Sequence, residues 1–214
     1  MATPDWQLTR EMFLSAEEVE NLLYGLRSRL ASMQGGMQEV ARLEQLLIEG
    51  LLFSGLRNSE FCRLKLADTS LAHGKSALEV RHAKKDNRTV YLPTHVNDLI
   101  ERYISQTRPR FLPETIDPHD LEQPLLFHER KRAFDRTTLY RRVVRILSQF
   151  GLEDRASVQL LRHTYGFLAY QRSGGNLLFV QRQLGHAHPM ITSVYAQFVE
   201  ESYAQLAERV FLSK

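Results

Sequence analysis

Apolar positions recur at helical spacing in the first quarter of the chain and predict amphipathic helices there. The first helix is predicted over residues 15–30, with Ser15 and Glu18 forming a capping box at its start. The second is predicted over residues 38–54, after a turn at the Gly35-Gly36 pair. A shorter helix over residues 59–66 is expected to follow directly.

The hydrophobic period changes to a β-rich pattern between residues 76 and 93. The runs ALEVRH and RTVYLP are separated by AKKDN, whose Asp86-Asn87 pair suits a tight turn. This pattern predicts a β-hairpin with Lys84 and Lys85 near its tip.

The second half of the chain returns to helical spacing after an irregular stretch. A helix is predicted over residues 95–106, followed by a loop that begins near Pro109 and a short strand or turn at 125–127. Thr137 or Thr138 is expected to cap a helix that continues through Leu147, with its arginines facing outward. A last helix is predicted over residues 199–211.

These elements predict a mainly helical α+β fold with a small antiparallel β-hairpin. The sequence contains no internal repeat, low-complexity tract or convincing linker. We therefore expect one domain over residues 1–214, with an N-terminal arm at 1–14 and a C-terminal tail helix at 196–214.

Composition places the chain among ordinary globular proteins, with 43% hydrophobic and 25% charged residues. The net charge is +3 and the isoelectric point is about 9.1, which mildly favours a polyanionic partner. A single cysteine, Cys62, excludes an internal disulfide and fits a reducing compartment. No apolar run approaches the roughly 20 residues that span a bilayer. A cytoplasmic location is expected.

Positive charge is concentrated between residues 128 and 145. Such a run is either a solvated helix face or a surface that contacts phosphates, and the sequence alone leaves both interpretations open. The basic residues of this segment are Arg130, Lys131, Arg132, Arg136, Arg141, Arg142 and Arg145.

Several polar residues could carry chemistry, although each has an ordinary structural interpretation. Arg57 follows a helix-ending glycine, and Arg162 lies in an apolar helix where it needs either an internal carboxylate or a ligand phosphate. His186 has no accompanying set of ligands with metal-site spacing, so no metal is expected. Tyr195 becomes a plausible nucleophile only beside cations.

Together these pieces closely resemble the tyrosine recombinases, the phage-integrase-type site-specific recombinases. The motifs GLRNSE, the lysine-bearing hairpin, LLRHTYG, LGH and a tyrosine nine positions after His186 occur in the same order in that family. The opening LSAEEVENLL is similar to the start of its catalytic domain. The resemblance covers about residues 8–205, and five ordered motifs make it specific.

The resemblance implies a metal-free and ATP-free reaction on double-stranded DNA. Arg57 and Arg162 would hold the scissile phosphate and His186 would donate to it. Tyr195 would then attack phosphorus to give a 3′-phosphotyrosyl intermediate. Lys85, favoured over Lys84, would protonate the leaving 5′ oxygen. Further contacts with DNA are expected from residues of the hairpin and the basic segment: Lys84, Arg88, Arg130, Lys131, Arg132, Arg136 and Arg141.

The chain departs from the family pattern at Gln159, where a histidine usually stands three residues before the second arginine. A glutamine can bind phosphate or orient water but cannot accept the tyrosine proton, so slower cleavage is expected. In the family, the hairpin lysine commonly stands two residues before an arginine that opens the second strand. Here Asp86 has that position and Lys85 is one residue farther from Arg88, so the preference for Lys85 assumes one extra turn residue.

The family resemblance implies assembly as a homotetramer on a DNA synapse, with the tail after Tyr195 packed on a neighbouring protomer. Only about a dozen residues precede LSAEEVENLL, so we expect a minimal recombinase or an isolated catalytic domain. Association with the nucleoid follows from the same resemblance. The alternative is a DNA-binding regulator that keeps the fold with weak or no cleavage, and Gln159 is its main support.

Overall fold

The structure is a computed structural model of the chain, and it describes residues 8–82 and 87–198. Helix α1 spans Ala16–Ser32 and begins with the predicted capping box, in which Ser15 and Glu18 bind each other's backbone N–H. Helix α2 spans Gly35–Ser54. The turn predicted at Gly35-Gly36 is therefore wrong, because both glycines belong to the first turn of α2.

Helix α3 spans only Asn58–Cys62, which is shorter than the predicted helix. The N–H of Leu66 donates to the carbonyl of Gln123, and the N–H of Leu125 donates to the carbonyl of Leu64. These long-range backbone bonds replace helical ones and end α3. A 3₁₀ turn at Leu66–Asp68 and helix α4 at Ser70–His73 follow.

The predicted β-hairpin is confirmed. Strand β1, Ala77–Val80, pairs antiparallel with strand β2, Arg88–Tyr91, and Leu78 lies opposite Val90 with both side chains buried. The hairpin residues 83–86, including Lys84 and Lys85, lie outside the described residues.

The helix predicted over residues 95–106 continues farther than expected. Helix α5, Thr94–Arg102, leads through a π-helical turn, Tyr103–Thr107, into helix α6, Arg108–Phe111. Pro109 lies near the start of α6, directly after the π-helical turn, so the expected loop begins later.

A second small sheet precedes the basic helix. Strand β3, Phe127–His128, pairs antiparallel with strand β4, Arg132–Ala133, and β4 was not predicted. Helix α7 spans Arg136–Gln149 and is capped by Asp135, whose carboxylate accepts the N–H groups of Thr137 and Thr138. The prediction of a threonine cap is wrong, because the acidic side chain one residue before the helix reaches both free N–H groups.

The last described elements are α8, Val158–Arg172, α9, Leu177–Leu184, α10, Pro189–Ser193, and a 3₁₀ turn, Ala196–Phe198. The main core lies between α1, α2, the β1–β2 hairpin, α5, α7 and α8. A smaller apolar cluster packs the N-terminal segment on the other side of α8 and α9, through Leu8, Phe13, Tyr165, Val180, Leu184 and Tyr195.

The predicted tail helix over residues 199–211 lies outside the described residues. Of the N-terminal arm, residues 8–14 are described, and the Leu14 N–H donates to the Thr164 hydroxyl of α8 over 2.9 Å. No helix in the described part of the chain combines the length and the apolar character needed to cross a membrane.

Candidate active site

Arg57 lies at the junction between α2 and α3. Gly55 ends α2 with a φ of 62°, and Arg57 occupies the position before the first residue of α3. Its guanidinium donates to Glu60 Oε1 over 3.0 Å, and its backbone N–H donates to Glu60 Oε2 over 2.8 Å. The side chain is 44% exposed, so the guanidinium is fixed at its base and open to solvent.

Arg162 projects from α8 into the space between two helix ends and is nearly fully buried. Its guanidinium donates to the carbonyl of Gly55, at the end of α2, and to the carbonyl of Leu184, at the end of α9, over 2.8 Å in the second case. These carbonyls lack helical partners and lie at the negative ends of their helices. Within the described residues, these two carbonyls are the hydrogen-bond acceptors of Arg162. The sequence had suggested a carboxylate or a ligand phosphate as its partner.

Burial lowers the pKa of Arg162 to about 10, with a further contribution from the charge of Arg57. It stays charged at neutral pH. Two of its five N–H groups are used by the two carbonyls, which leaves donors for a further anion.

His186 follows the helix-ending Gly185 and lies beside both arginines. Its Nδ1 is 2.9 Å from the hydroxyl of the buried Thr192. Burial and the charges of Arg162 and Arg57 lower the pKa of His186 to about 4, so the ring is neutral at pH 7. When the Thr192 hydroxyl donates to Nδ1, the proton resides on Nε2, which can then donate to a ligand.

Tyr195 is 1% exposed and its ring lies directly on α8. The close approach requires Gly166, because a Cβ at that position would be 2.2 Å from Tyr195 Cζ. Burial raises the pKa of Tyr195 to about 12, against the opposing effect of the Arg162 charge.

The Tyr195 hydroxyl is 3.1 Å from Nδ1 of His163, which lies on α8 next to Arg162. The other ring nitrogen of His163, Nε2, is 2.9 Å from Nε2 of Gln159, one helical turn earlier. Gln159 itself is exposed. The sequence assigned no role to His163, and only its position beside Arg162 marked it.

Arg88 connects the hairpin to this site. It binds Glu60 with two parallel bonds of 2.9 Å, and its Nε donates to the Gln183 carbonyl of α9 over 3.2 Å. The side chain is 13% exposed. Its predicted contact with DNA stays a prediction, and the structure shows that it holds β2 against α3 and α9.

Glu60 is the second residue that the sequence did not single out. Burial alone would raise the pKa of its carboxyl, but hydrogen bonds from Arg88 and Arg57 hold it at about 2. Glu60 therefore remains ionised and bridges two arginines that are 31 residues apart in the chain.

The basic segment divides into exposed and paired residues. Arg142 binds Glu129, and Arg142 and Arg145 both bind the buried Glu44. The expectation that the arginines of α7 face outward is wrong for Arg142, whose side chain is 10% exposed, whereas Arg145 is paired and still 54% exposed. The remaining five are exposed, and no carboxylate of the described residues lies within 4.0 Å of their charges. They are Arg130, Lys131, Arg132, Arg136 and Arg141.

This exposed basic surface is attached to the element that carries Arg57. The Asn58 side chain, at the start of α3, donates to the Arg136 carbonyl over 2.8 Å. The start of α7 therefore lies against the start of α3. Among the described residues no group of three His, Cys, Asp or Glu side chains is arranged to hold a metal ion.

A family model described as "Phage integrase family" matches residues 13–201. The chain belongs to the phage integrase family. Among curated relatives, the tyrosine recombinase XerH of Helicobacter pylori is 26% identical over 197 residues, covering 91% of this chain and 50% of the relative. The tyrosine recombinase XerC of Halalkalibacterium halodurans is 29% identical over 189 residues, covering 88% and 58%.

Solved structures of this family share the fold. The chain matches XerH bound to a palindromic difH substrate, a post-cleavage complex, with a TM-score of 0.69 and 25% identity over 94% of this chain and 52% of that one. XerH in a pre-cleavage complex with difH gives a TM-score of 0.71 at 24% identity, covering 97% and 55%. This phage integrase family member spans about half the length of the curated relatives it matches.

Proposed function

We propose that this chain is the catalytic part of a site-specific DNA recombinase that cuts and rejoins strands through a 3′-phosphotyrosyl intermediate. The observation that carries the proposal is the position of the Tyr195 phenol, which is buried beside the charged Arg162. A phenol there can develop negative charge next to a fixed cation as it attacks phosphorus.

Each candidate residue has a role in that reaction. Arg57 and Arg162 hold the non-bridging oxygens of the phosphodiester, and His186 donates from Nε2. The Tyr195 oxygen forms a bond to phosphorus while the bond to the 5′ oxygen breaks. The leaving oxygen takes a proton from the hairpin, where we assign Lys85 as the donor. Religation reverses these steps, and the covalent phosphodiester keeps the bond energy without ATP or metal.

Double-stranded DNA fits the exposed basic surface described above. Five exposed cations around the start of α7 adjoin the junction that holds Arg57, so a duplex that binds them brings a backbone phosphate to the site. The solved structures of XerH contain its difH substrate, which supports the same class of ligand here.

The surface is tested by removing two of its charges. Arg136→Ala combined with Arg141→Ala should weaken binding of a random-sequence duplex and reduce the slope of log affinity against log salt by about two. Arg110→Ala serves as the control, because Arg110 is exposed, lies outside the basic segment and pairs with Glu39. An unchanged salt slope in the double variant would exclude this surface.

We further propose that the active assembly is a homotetramer on two DNA sites, located in the cytoplasm at the nucleoid, with residues 199–214 packed on a neighbouring protomer. This part rests on membership of the family. Analytical ultracentrifugation with and without a bound duplex, on the full chain and on a chain ending at residue 198, measures it. Identical assembly of both chains on DNA would exclude the exchange of tails.

Covalent capture tests the chemistry without a known target sequence. A library of nicked duplexes with a randomised central segment is incubated with the protein, and adducts that survive denaturant are recovered and sequenced. Tyr195→Phe should abolish the adduct while DNA binding persists. Tyr24→Phe, which alters a 74% exposed tyrosine on α1, should leave it intact. Salt-sensitive binding without any adduct would overturn the proposal and identify a DNA-binding regulator.

A further inference from the structure

Three side chains form a line along α8 that ends at the nucleophile. Gln159 and His163 are four residues apart and share one face of the helix. His163 lies between the Gln159 amide, 2.9 Å from its Nε2, and the Tyr195 hydroxyl, 3.1 Å from its Nδ1. The proposed function above leaves open which group removes the proton from Tyr195.

The other described groups near the phenol cannot receive this proton. Arg162 has donors only, and His186 turns its Nδ1 to Thr192. The Glu60 carboxylate is held by Arg57 and Arg88. An imidazole nitrogen within hydrogen-bonding distance of the phenol oxygen is the group suited to general base catalysis.

We propose that His163 is the catalytic proton acceptor for Tyr195 and that Gln159 is a positioning residue that sets the tautomer of the His163 ring. The inference deepens the proposed recombinase function and rests on it.

The proton balance of the step is simple. The phenol proton passes to His163 Nδ1 as the Tyr195 oxygen bonds to phosphorus, and the leaving 5′ oxygen receives its proton from Lys85. His163 then carries both ring protons and one positive charge. On religation it returns the proton to the Tyr195 oxygen.

The orientation of the Gln159 amide determines whether Nδ1 of His163 can accept the Tyr195 proton. In the observed orientation the amide nitrogen faces Nε2 and donates to it, which leaves the ring proton on Nδ1. A half-turn of the amide brings its oxygen to Nε2, and the ring proton moves to that side. The lone pair of Nδ1 then faces the Tyr195 hydroxyl. Gln159 is exposed, so this rotation does not disturb the core.

The surroundings keep the acceptor neutral until DNA binds. Burial and the charge of Arg162 lower the pKa of His163 to about 4. His186 and Tyr195 also lie beside it, and Glu11 and Arg155 line an adjoining cavity of about 420 Å³. An anionic phosphodiester at the site raises the pKa of the imidazole, so the base becomes stronger when the substrate is in place.

The first test uses a single duplex selected by covalent capture on the unaltered protein. His163→Gln keeps the size and polarity of the side chain but removes the base, and the single-turnover cleavage rate should fall by about 10²- to 10³-fold. His119→Gln, at an exposed loop position, should retain the full rate. A duplex whose 5′ bridging oxygen is replaced by sulfur needs no acid for departure. The deficit of His163→Gln should therefore persist on that duplex.

A second variant keeps the test valid if His163→Gln folds poorly. Gln159→Glu places a carboxylate against Nε2, which stabilises the imidazolium and should move the acid limb of the pH–rate profile to higher pH. Gln171→Glu adds the same charge at an exposed site near the other end of α8 and should leave the profile in place. A purely structural Gln159 would not move this limb.

The outcomes separate the two proposals. The role of His163 would be overturned if the unaltered protein cleaves DNA and His163→Gln cleaves it at an equal or faster rate. An unshifted pH–rate profile in Gln159→Glu would likewise overturn the role of Gln159. In both cases the proposed recombinase function would stand. Absence of any adduct with the unaltered protein would instead overturn the proposed function, and this inference with it. Recovery of His163→Ala by added imidazole, which can enter through the adjoining cavity, would support the acceptor directly.

Discussion

Gly166 has no side chain, and the nucleophile lies in the space that a side chain would fill. A Cβ there would be 2.2 Å from Tyr195 Cζ and 2.6 Å from its hydroxyl oxygen. Gly166→Ala should therefore displace the phenol from His163 and reduce strand cleavage by at least about 10²-fold, as misplacement of a reacting group does. The rate of adduct formation on a selected duplex measures this.

Gly36→Ala is the matched control for Gly166→Ala. Gly36 also lies in a helix, and a Cβ there would meet nothing within 4 Å. It should leave cleavage unchanged. Equal rates for Gly166→Ala and the unaltered protein would show that the buried position of Tyr195 does not matter for the chemistry.

Position 159 holds a glutamine where the family usually has a histidine, and Gln159→His tests whether a histidine there is needed as the base. If a histidine at 159 is the required base, the substitution should raise cleavage by about 10²-fold or more. Because His163 already contacts the phenol, we expect a change of less than about tenfold. Single-turnover rates for Gln159→His and the unaltered chain decide between them, and a large gain would count against His163.

The sequence singled out Arg57, Arg162, His186 and Tyr195 as candidates because their motifs occur in order. The sequence assigned no role to His163 and did not single out Glu60, because the contacts of both residues join distant segments. His163 meets a tyrosine 32 residues later, and Glu60 meets an arginine 28 residues later. Spacing within one helix gives no information about such partners.

At the scale of elements, Glu60 joins the start of α3 to β2. Its buried carboxylate accepts from both Arg57 and Arg88, and these bonds hold its pKa at about 2. Glu60→Gln should lower the free energy of unfolding by roughly 2–4 kcal/mol, because removal of one partner leaves a largely buried arginine without its counter-charge. Urea denaturation at pH 7 measures the loss.

Glu122→Gln is the control for Glu60→Gln. Glu122 pairs with Lys65, and both side chains are exposed. Its replacement should leave the free energy of unfolding almost unchanged, because an exposed ion pair contributes little to stability. Similar losses for the two variants would contradict a special role for the Glu60 bridge.

Local pattern predicted α1, most of α2 and the β1–β2 hairpin well, because the capping signal and the hydrophobic periodicity agree with the structure there. The local pattern failed to predict structure where hydrogen bonds between distant backbone segments set the conformation. Residues 64–66 leave the helical path to pair with residues 123–125, and β4 exists only because Phe127 and Ala133 face each other across a short turn. Neither contact leaves a periodic signal in the sequence.

For the whole molecule, pH should control stability through two histidines, the buried His163 and the partly buried His186. Burial and nearby arginines lower the pKa values of His163 and His186 from 6.5 to about 4. Between pH 6.5 and pH 4 these histidines bind protons in the unfolded chain but stay mostly unprotonated in the folded chain. The free energy of unfolding therefore falls as pH drops below 6.5. The contribution of the two neutral histidines to the free energy of unfolding is fully present above pH 6.5.

For His163, which is 7% exposed, this linkage amounts to on the order of 2 kcal/mol between pH 6.5 and pH 5. Urea denaturation at pH 7.5, 6.5, 5.5 and 5 should show the decline. His163→Gln should make the decline shallower, leaving the part that is due to His186, while His119→Gln should not change it. Over this range the ionised carboxylates contribute less, because Glu60 loses its stabilising charge only as pH falls from about 4.5 through about 2. A decline of the same size in His163→Gln would mean that His163 is not held neutral in the folded protein. The lowered pKa of His163 would then be excluded independently of any DNA substrate, and the imidazole would be a neutral base only above its ordinary pKa of about 6.5.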